Sequence, residues 1–97
     1  MASSLDYLTY VLDLLREVPN ISYTKMMGEY ILYKDGIIFG GIYDNRFLIK
    51  KSKATSELAL KEAIPYPGGS TMFLLDIENP HEIKLIINEL TLDLKKS

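Results

Sequence analysis

The sequence contains no cysteine. Disulfides, thiolate metal sites and thiol nucleophiles are excluded together, and a reducing compartment such as the cytoplasm fits. It also lacks a basic excess. Eleven Lys and Arg face thirteen Asp and Glu, a formal net charge of −2. A dedicated duplex-DNA binder draws most of its affinity from neutralised phosphates, so nucleic acid is not favoured as the sole partner, although a local basic patch is compatible with it. No apolar run approaches the roughly 18–20 residues that cross a bilayer. The opening "MASSLDYL" has neither the basic head nor the apolar run of a signal peptide. The expectation is a cytoplasmic chain with no membrane partner. One histidine is present, and no internal repeat, linker or low-complexity tract interrupts the sequence.

What is present suits one folded domain over residues 1–97. The composition is 47% hydrophobic, with seven Tyr and three Phe, enough for one modest core. "SSLDYLTYVLDLLREV" has a helical period. Leu5, Leu8, Val11, Leu12, Leu15 and Val18 share a face, Ser3 and Asp6 form a capping-box pattern, and Pro19 ends the helix. Residues 22–51 then switch to strand character, with turn signals at Asp35-Gly36 and Asp44-Asn45. Both dipeptides tolerate the positive φ of two-residue hairpin loops, which predicts a three-stranded meander.

Those turns fix an expected register. Tyr33 opposes Ile38, Ile31 opposes Gly40, Ile42 opposes Phe47 and Gly40 opposes Ile49. One sheet face then carries Ile31, Tyr33, Ile38, Ile42, Phe47 and Ile49. The other carries Tyr30, Leu32, Ile37, Phe39, Tyr43 and Leu48, with Arg46 and Lys50 along its edge. Both faces read as apolar, more than helices on one side can cover. This points to self-association as a homodimer, with Tyr30, Phe39 and Tyr43 as candidate interaction residues.

"SKATSELALKEAI" reads as a short helix capped by Ser52, with Ala54, Leu58 and Ala63 inward. "PYPGGS" is a stiff turn, and "TMFLLDI" is a buried strand. The final segment is the clearest helix. Asn79 caps it, Pro80 takes its first position, and Ile83, Ile86, Ile87, Leu90 and Leu94 form its stripe. The fold class is α+β in two layers: an antiparallel sheet of four to five strands with three helices. The order is helix, three-stranded meander, helix, one or two strands, helix.

Four groups of residues carry candidate chemistry. His81 with Asp76 and Glu78 is a chemically feasible metal set, but reads more simply as an exposed loop and first helical turn; no metal or cofactor is expected. Glu29 stands in an apolar strand, where a buried carboxylate needs a partner or serves as a base. The simpler reading is an edge position at a bulge made by Gly28. Gly40-Gly41 lacks the helix context and lysine of a phosphate loop and reads as packing. Arg46, Lys50, Lys51 and Lys53 form a basic patch that could meet phosphate or an acidic partner.

Several segments in one order, "MMGEYILYKDG", "FGGIYDNRFLIK", "PYPGG" and "MFLLDIEN" before a final helix, resemble the N-terminal domain of the TfoX/Sxy competence regulators. The distinctive pieces are Met27-Gly28-Glu29-Tyr30, Tyr33 with Gly36, Asp44 with Arg46, Lys50, and Pro65-Tyr66. The resemblance implies an α+β sheet with helices packed on it. It also implies a regulatory role in transcription, with a transcription-machinery protein as partner and no enzymatic activity. Full-length regulators of that family carry a second, helical domain in addition. Under the resemblance, Met27, Gly28, Glu29, Tyr30, Gly36, Asp44, Pro65 and Tyr66 are structural. Direct nucleic-acid binding, and small-molecule sensing near Tyr30, Glu29 and the "PYPGG" loop, are the alternatives.

Overall fold

The structure, a computed structural model, describes residues 2–96. Helix α1 (Leu5–Leu14) leads into strands β1 (Ile21–Met26), β2 (Glu29–Lys34), β3 (Ile37–Ile42) and β4 (Phe47–Ile49). A one-turn helix α2 (Lys53–Ser56) precedes β5 (Glu62–Ala63), β6 (Met72–Leu74) and the long α3 (Pro80–Lys95). All pairings are antiparallel, and the six-stranded sheet runs β1-β2-β3-β4-β6-β5. The α+β class and antiparallel sheet agree with the expectation, with one strand more.

The additional strand comes from the Met27-Gly28 dipeptide, which is a hairpin turn rather than a bulge within one strand. Both residues have positive φ (52° and 82°), the geometry of a two-residue turn between β1 and β2. Asp35-Gly36 (52° and 77°) and Asp44-Asn45 (53° and 54°) adopt the same sign, so both expected turns form. The meander therefore has four strands.

A bulge sits elsewhere, in the β2–β3 pair. Tyr33 opposes Ile38 as expected, but Leu32 opposes Gly40 and Ile31 opposes Gly41. Phe39 is the extra residue: it keeps the side of Leu32, and Gly40 after it falls on that side as well. Alternation restarts after it, so Tyr30, Leu32, Phe39, Ile42, Phe47 and Ile49 all join one core. The two expected faces were thus each half right. Their mixture arose because strict period-two counting runs straight through a bulge.

Helices α1 and α3 cover that core face. Leu8, Val11, Leu15 and Val18 from the first, with Ile83, Ile87 and Leu90 from the last, are buried against the strands. Each such side chain contributes about 1.5–3 kcal/mol through apolar burial. Leu5 departs from its expected inward position and is 66% exposed. The cap of α1 is Ser4, whose Oγ accepts the Tyr7 N–H at 3.1 Å, not Ser3. Ser52 caps α2 as expected, in a box with Thr55. The helix is shorter than its period implied, because Ala59 takes φ 56° and the chain turns into β5. Asn79 Oδ1 accepts from His81 and Glu82 at the start of α3.

The opposite face of the sheet carries Ile31, Tyr33, Ile38, Gly41, Tyr43, Arg46 and Leu48. It is covered only in part. Leu48 is nonetheless fully buried, lying between Gly41 and Leu74 in the sheet.

Candidate functional site

A cluster of polar groups forms beside this half-open face, around the β1–β2 turn, the β3–β4 turn and the 64–69 loop. Glu29 opens β2, and its carboxylate accepts the Ser3 hydroxyl at 2.5 Å and the Asp44 backbone N–H at 2.9 Å. Ser3 Oγ in turn accepts the Asn45 N–H at 3.0 Å. The Ser3 N–H donates to the Gly28 carbonyl at 3.0 Å, and the Ser4 N–H to Asn45 Oδ1 at 2.9 Å. Two adjacent tight turns and the chain before α1 are thereby tied in one knot. Glycine is required at position 28, since a Cβ there would lie 2.9 Å from that of Ala2 at a φ of 82°.

Arg46 extends the knot to the third segment. Its Nε donates to the Tyr43 carbonyl at 3.1 Å, and Nη2 to the carbonyls of Ile64 (3.0 Å) and Pro65 (3.4 Å). A guanidinium bonded to carbonyls clamps a loop rather than attracting an anion. The loop is stiff as well. Gly69 N–H donates to the Tyr66 carbonyl at 2.9 Å, closing a turn over Pro67 and Gly68 (φ 85°). The Tyr66 ring reaches Tyr43, with centroids 6.1 Å apart and planes at 56°. Tyr43 is half-buried, and burial, then Tyr66, Glu29 and Tyr33, push its phenol up from the ordinary value.

Gly41 is what lets Tyr43 lie here. A Cβ at Gly41 would come within 2.7 Å of the Tyr43 ring and 2.6 Å of the Tyr30 carbonyl oxygen. A Cβ at Gly40 would meet the Leu48 carbonyl oxygen of the neighbouring strand. The glycine pair is thus a packing feature.

Two shallow depressions flank the clamp and share Pro65 and Tyr66. One, of about 340 Å³, adds Glu29, Asp44 and Arg46. The other, of about 320 Å³, adds Tyr43, Lys50, Lys51, Ser70 and Thr71.

Several expected site residues lie elsewhere. Tyr30 and Phe39 are 5% and 0% exposed, so they belong to the core and not to a contact surface. Both lie with Leu32 on the sheet face that α1 and α3 cover. Of the expected basic patch, Arg46 is spent on carbonyls and Lys51 pairs with Glu62, which leaves Lys50 and Lys53 exposed. His81 faces Glu17, Nδ1 to Oε1 at 3.6 Å, whereas Glu78 accepts the Tyr10 hydroxyl at 2.8 Å. Among the described residues no three His, Asp or Glu side chains gather as a metal site, and no helix is long and apolar enough to cross a membrane. Sequence reasoning missed Ser3 as Glu29's partner. They are far apart in sequence, and neither element's period links them.

No family model matches the sequence. It is 33% identical over 78 residues to a Spirochaeta aurantia protein, "Uncharacterized 12.7 kDa protein in trpE 5'region". The match covers 78% of this chain and 68% of that protein. At that identity and coverage, the chain belongs to the same family as the Spirochaeta aurantia protein.

Proposed function

We propose that this chain is a non-enzymatic, cytoplasmic interaction module that acts in transcription regulation, of the kind its resemblance to the TfoX/Sxy N-terminal domain implies. The observation that carries the reading is the free edge of β1. This strand ends the sheet order, and every residue from Ser22 to Met26 is exposed. The Asp35 N–H donates to the Asn20 carbonyl at 3.1 Å, which marks Asn20–Asp35 as a hydrogen-bonded pair. Alternation along the ladder then directs the N–H and C=O of Ile21, Tyr23 and Lys25 away from β2. Such an edge is a template for strand addition.

Apolar side chains stand beside the template. Tyr23 and Met26 are 45% and 58% exposed, and Met27 is 97% exposed. Met27 holds a positive-φ turn position that asparagine would occupy at less cost, which supports a contact role for its side chain.

The occupant is a second copy of the chain. A two-fold axis through Tyr23 pairs that residue with its own copy and Ile21 with the partner's Lys25, so outward groups meet outward groups. Lys25, the one charge on the strand, then opposes an isoleucine rather than another lysine. Light scattering at high micromolar concentration tests this reading. The expected result is a dimer, reduced to a folded monomer by Lys25→Pro, which removes an outward N–H from an edge strand. A monomeric wild type overturns self-association. The regulatory role is tested by capture from bacterial lysate after nuclease treatment. It requires transcription-machinery proteins that Met27→Asn or Lys25→Pro releases.

A further inference from the structure

We propose that the depression lined by Tyr43, Tyr66 and Lys50 binds a small molecule that joins a flat aromatic ring to an anionic group, of about mononucleotide size. Its volume, about 320 Å³, lies at the lower end of the range of small-molecule sites. The proposal does not rest on self-association, which uses the β1 edge.

The two ring walls are held before any ligand arrives. Tyr43 is seated over Gly41. Tyr66 is held by the turn closed between its carbonyl and the Gly69 N–H, and by the Arg46 bonds to Ile64 and Pro65. Tyrosines fixed in this way offer stacking surface with little ordering cost on binding. Tyr66 remains 57% exposed, so its face is available to a ring.

The polar side is cationic and rich in hydroxyls. Lys50 lines the depression and forms no ion pair among the described residues. Lys51 is neutralised by Glu62 and sits 5.1 Å over the Phe73 ring. One uncompensated positive charge therefore remains at this wall. Ser70 and Thr71 add two hydroxyls at the same rim, and the Tyr43 phenol adds a third. An ammonium with neighbouring hydroxyls suits a phosphate or carboxylate. A single free lysine favours one small anion over a nucleic-acid backbone, whose affinity requires several.

The experiment is an amide NMR titration of the full chain with AMP, benzoate, adenosine and inorganic phosphate as separate probes. The expected result is saturable shifts within residues 40–51 and 65–72 for AMP, with adenosine and phosphate each weaker. Saturation of the same residues by benzoate instead supports the site and assigns the anion as a carboxylate. Tyr66→Ala should weaken binding about fivefold or more, and Lys50→Gln should weaken it several-fold and flatten its salt dependence. Both side chains are exposed, so neither change threatens the fold. The proposal is overturned if neither AMP nor benzoate saturates by about 10 mM, or if binding ignores both substitutions. Far tighter binding of oligothymidine through the same residues also overturns it, in favour of single-stranded nucleic acid.

Discussion

Glu29 Oε2 accepts the backbone N–H of Asp44 at 2.9 Å, joining the start of β2 to the β3–β4 turn. The carboxylate's other oxygen takes the Ser3 hydroxyl. A residue that resembled a stray acid in an apolar strand is thus the tie between two hairpin ends, and its two partners come from segments on either side of it in the sequence.

Glu29→Gln is expected to destabilise the fold by about 1–3 kcal/mol, because the charge-assisted bonds from Ser3 and Asp44 are lost and one acceptor oxygen remains for two donors. Ser3→Ala removes a donor to Glu29 and an acceptor for Asn45, and should cost about 1 kcal/mol. In urea unfolding the double variant should lose less than the sum of the two, since both act in one network. Full additivity would show that the knot does not act as a unit.

The bulge brings Phe39 and Ile42 to one face of β3 although they are three residues apart. Phe39 is fully buried and Ile38 is 39% exposed, so Phe39→Ala should cost about 3–5 kcal/mol. Ile38→Ala is expected to stay within about 1 kcal/mol. Ile42 is also fully buried, so Ile42→Ala should cost about 2–5 kcal/mol. A loss of denaturant midpoint there as small as that of Ile38→Ala would mean that alternation runs unbroken and the bulge is absent.

Met27→Asn should raise stability by a few tenths to about 1 kcal/mol, because asparagine favours the positive φ of 52° that Met27 adopts. The same change is expected to weaken self-association. A variant both less stable and fully dimeric would contradict the assignment of this side chain to contact rather than folding.

Acid should act through Asp93 and Asp35. The Ala54 N–H, then the Ser52 side chain, hold the Asp93 carboxyl below its ordinary value of 3.8. The Lys34 and then the Asn20 hydrogen bonds lower Asp35 in the same way. A depressed folded-state pKa means that the unfolded chain takes up its proton first. The stabilisation is therefore present above pH 3.8 and lost as pH falls through the lower folded values. The urea midpoint should drop with acidification below 3.8, and Asp93→Asn should make that slope shallower.

The elements were largely legible in the residue order. Helical period placed α1 and α3, with Asn79 and Pro80 marking the start of the latter. Asp35-Gly36 and Asp44-Asn45 placed two turns, because positive φ at both positions restricts the residues that fit. Met27-Gly28 obeys the same backbone rule, but methionine carries no turn signature, so its hairpin read as a continuous strand.

Local chemistry, then, determined what the segments are: an apolar stripe, a cap or a turn dipeptide acts over a few residues, and the sequence displays it directly. Tertiary structure alone decided which side each strand turns and which polar groups meet. A single inserted residue, Phe39, reverses every side-chain direction beyond it, and its place depends on pairing with β2 rather than on β3 itself. The knot of Ser3, Glu29 and Asn45 and the clamp of Arg46 on Ile64 and Pro65 exist only once distant segments are packed together. Hydrogen bonds of that kind depend on position in space, which no local period encodes.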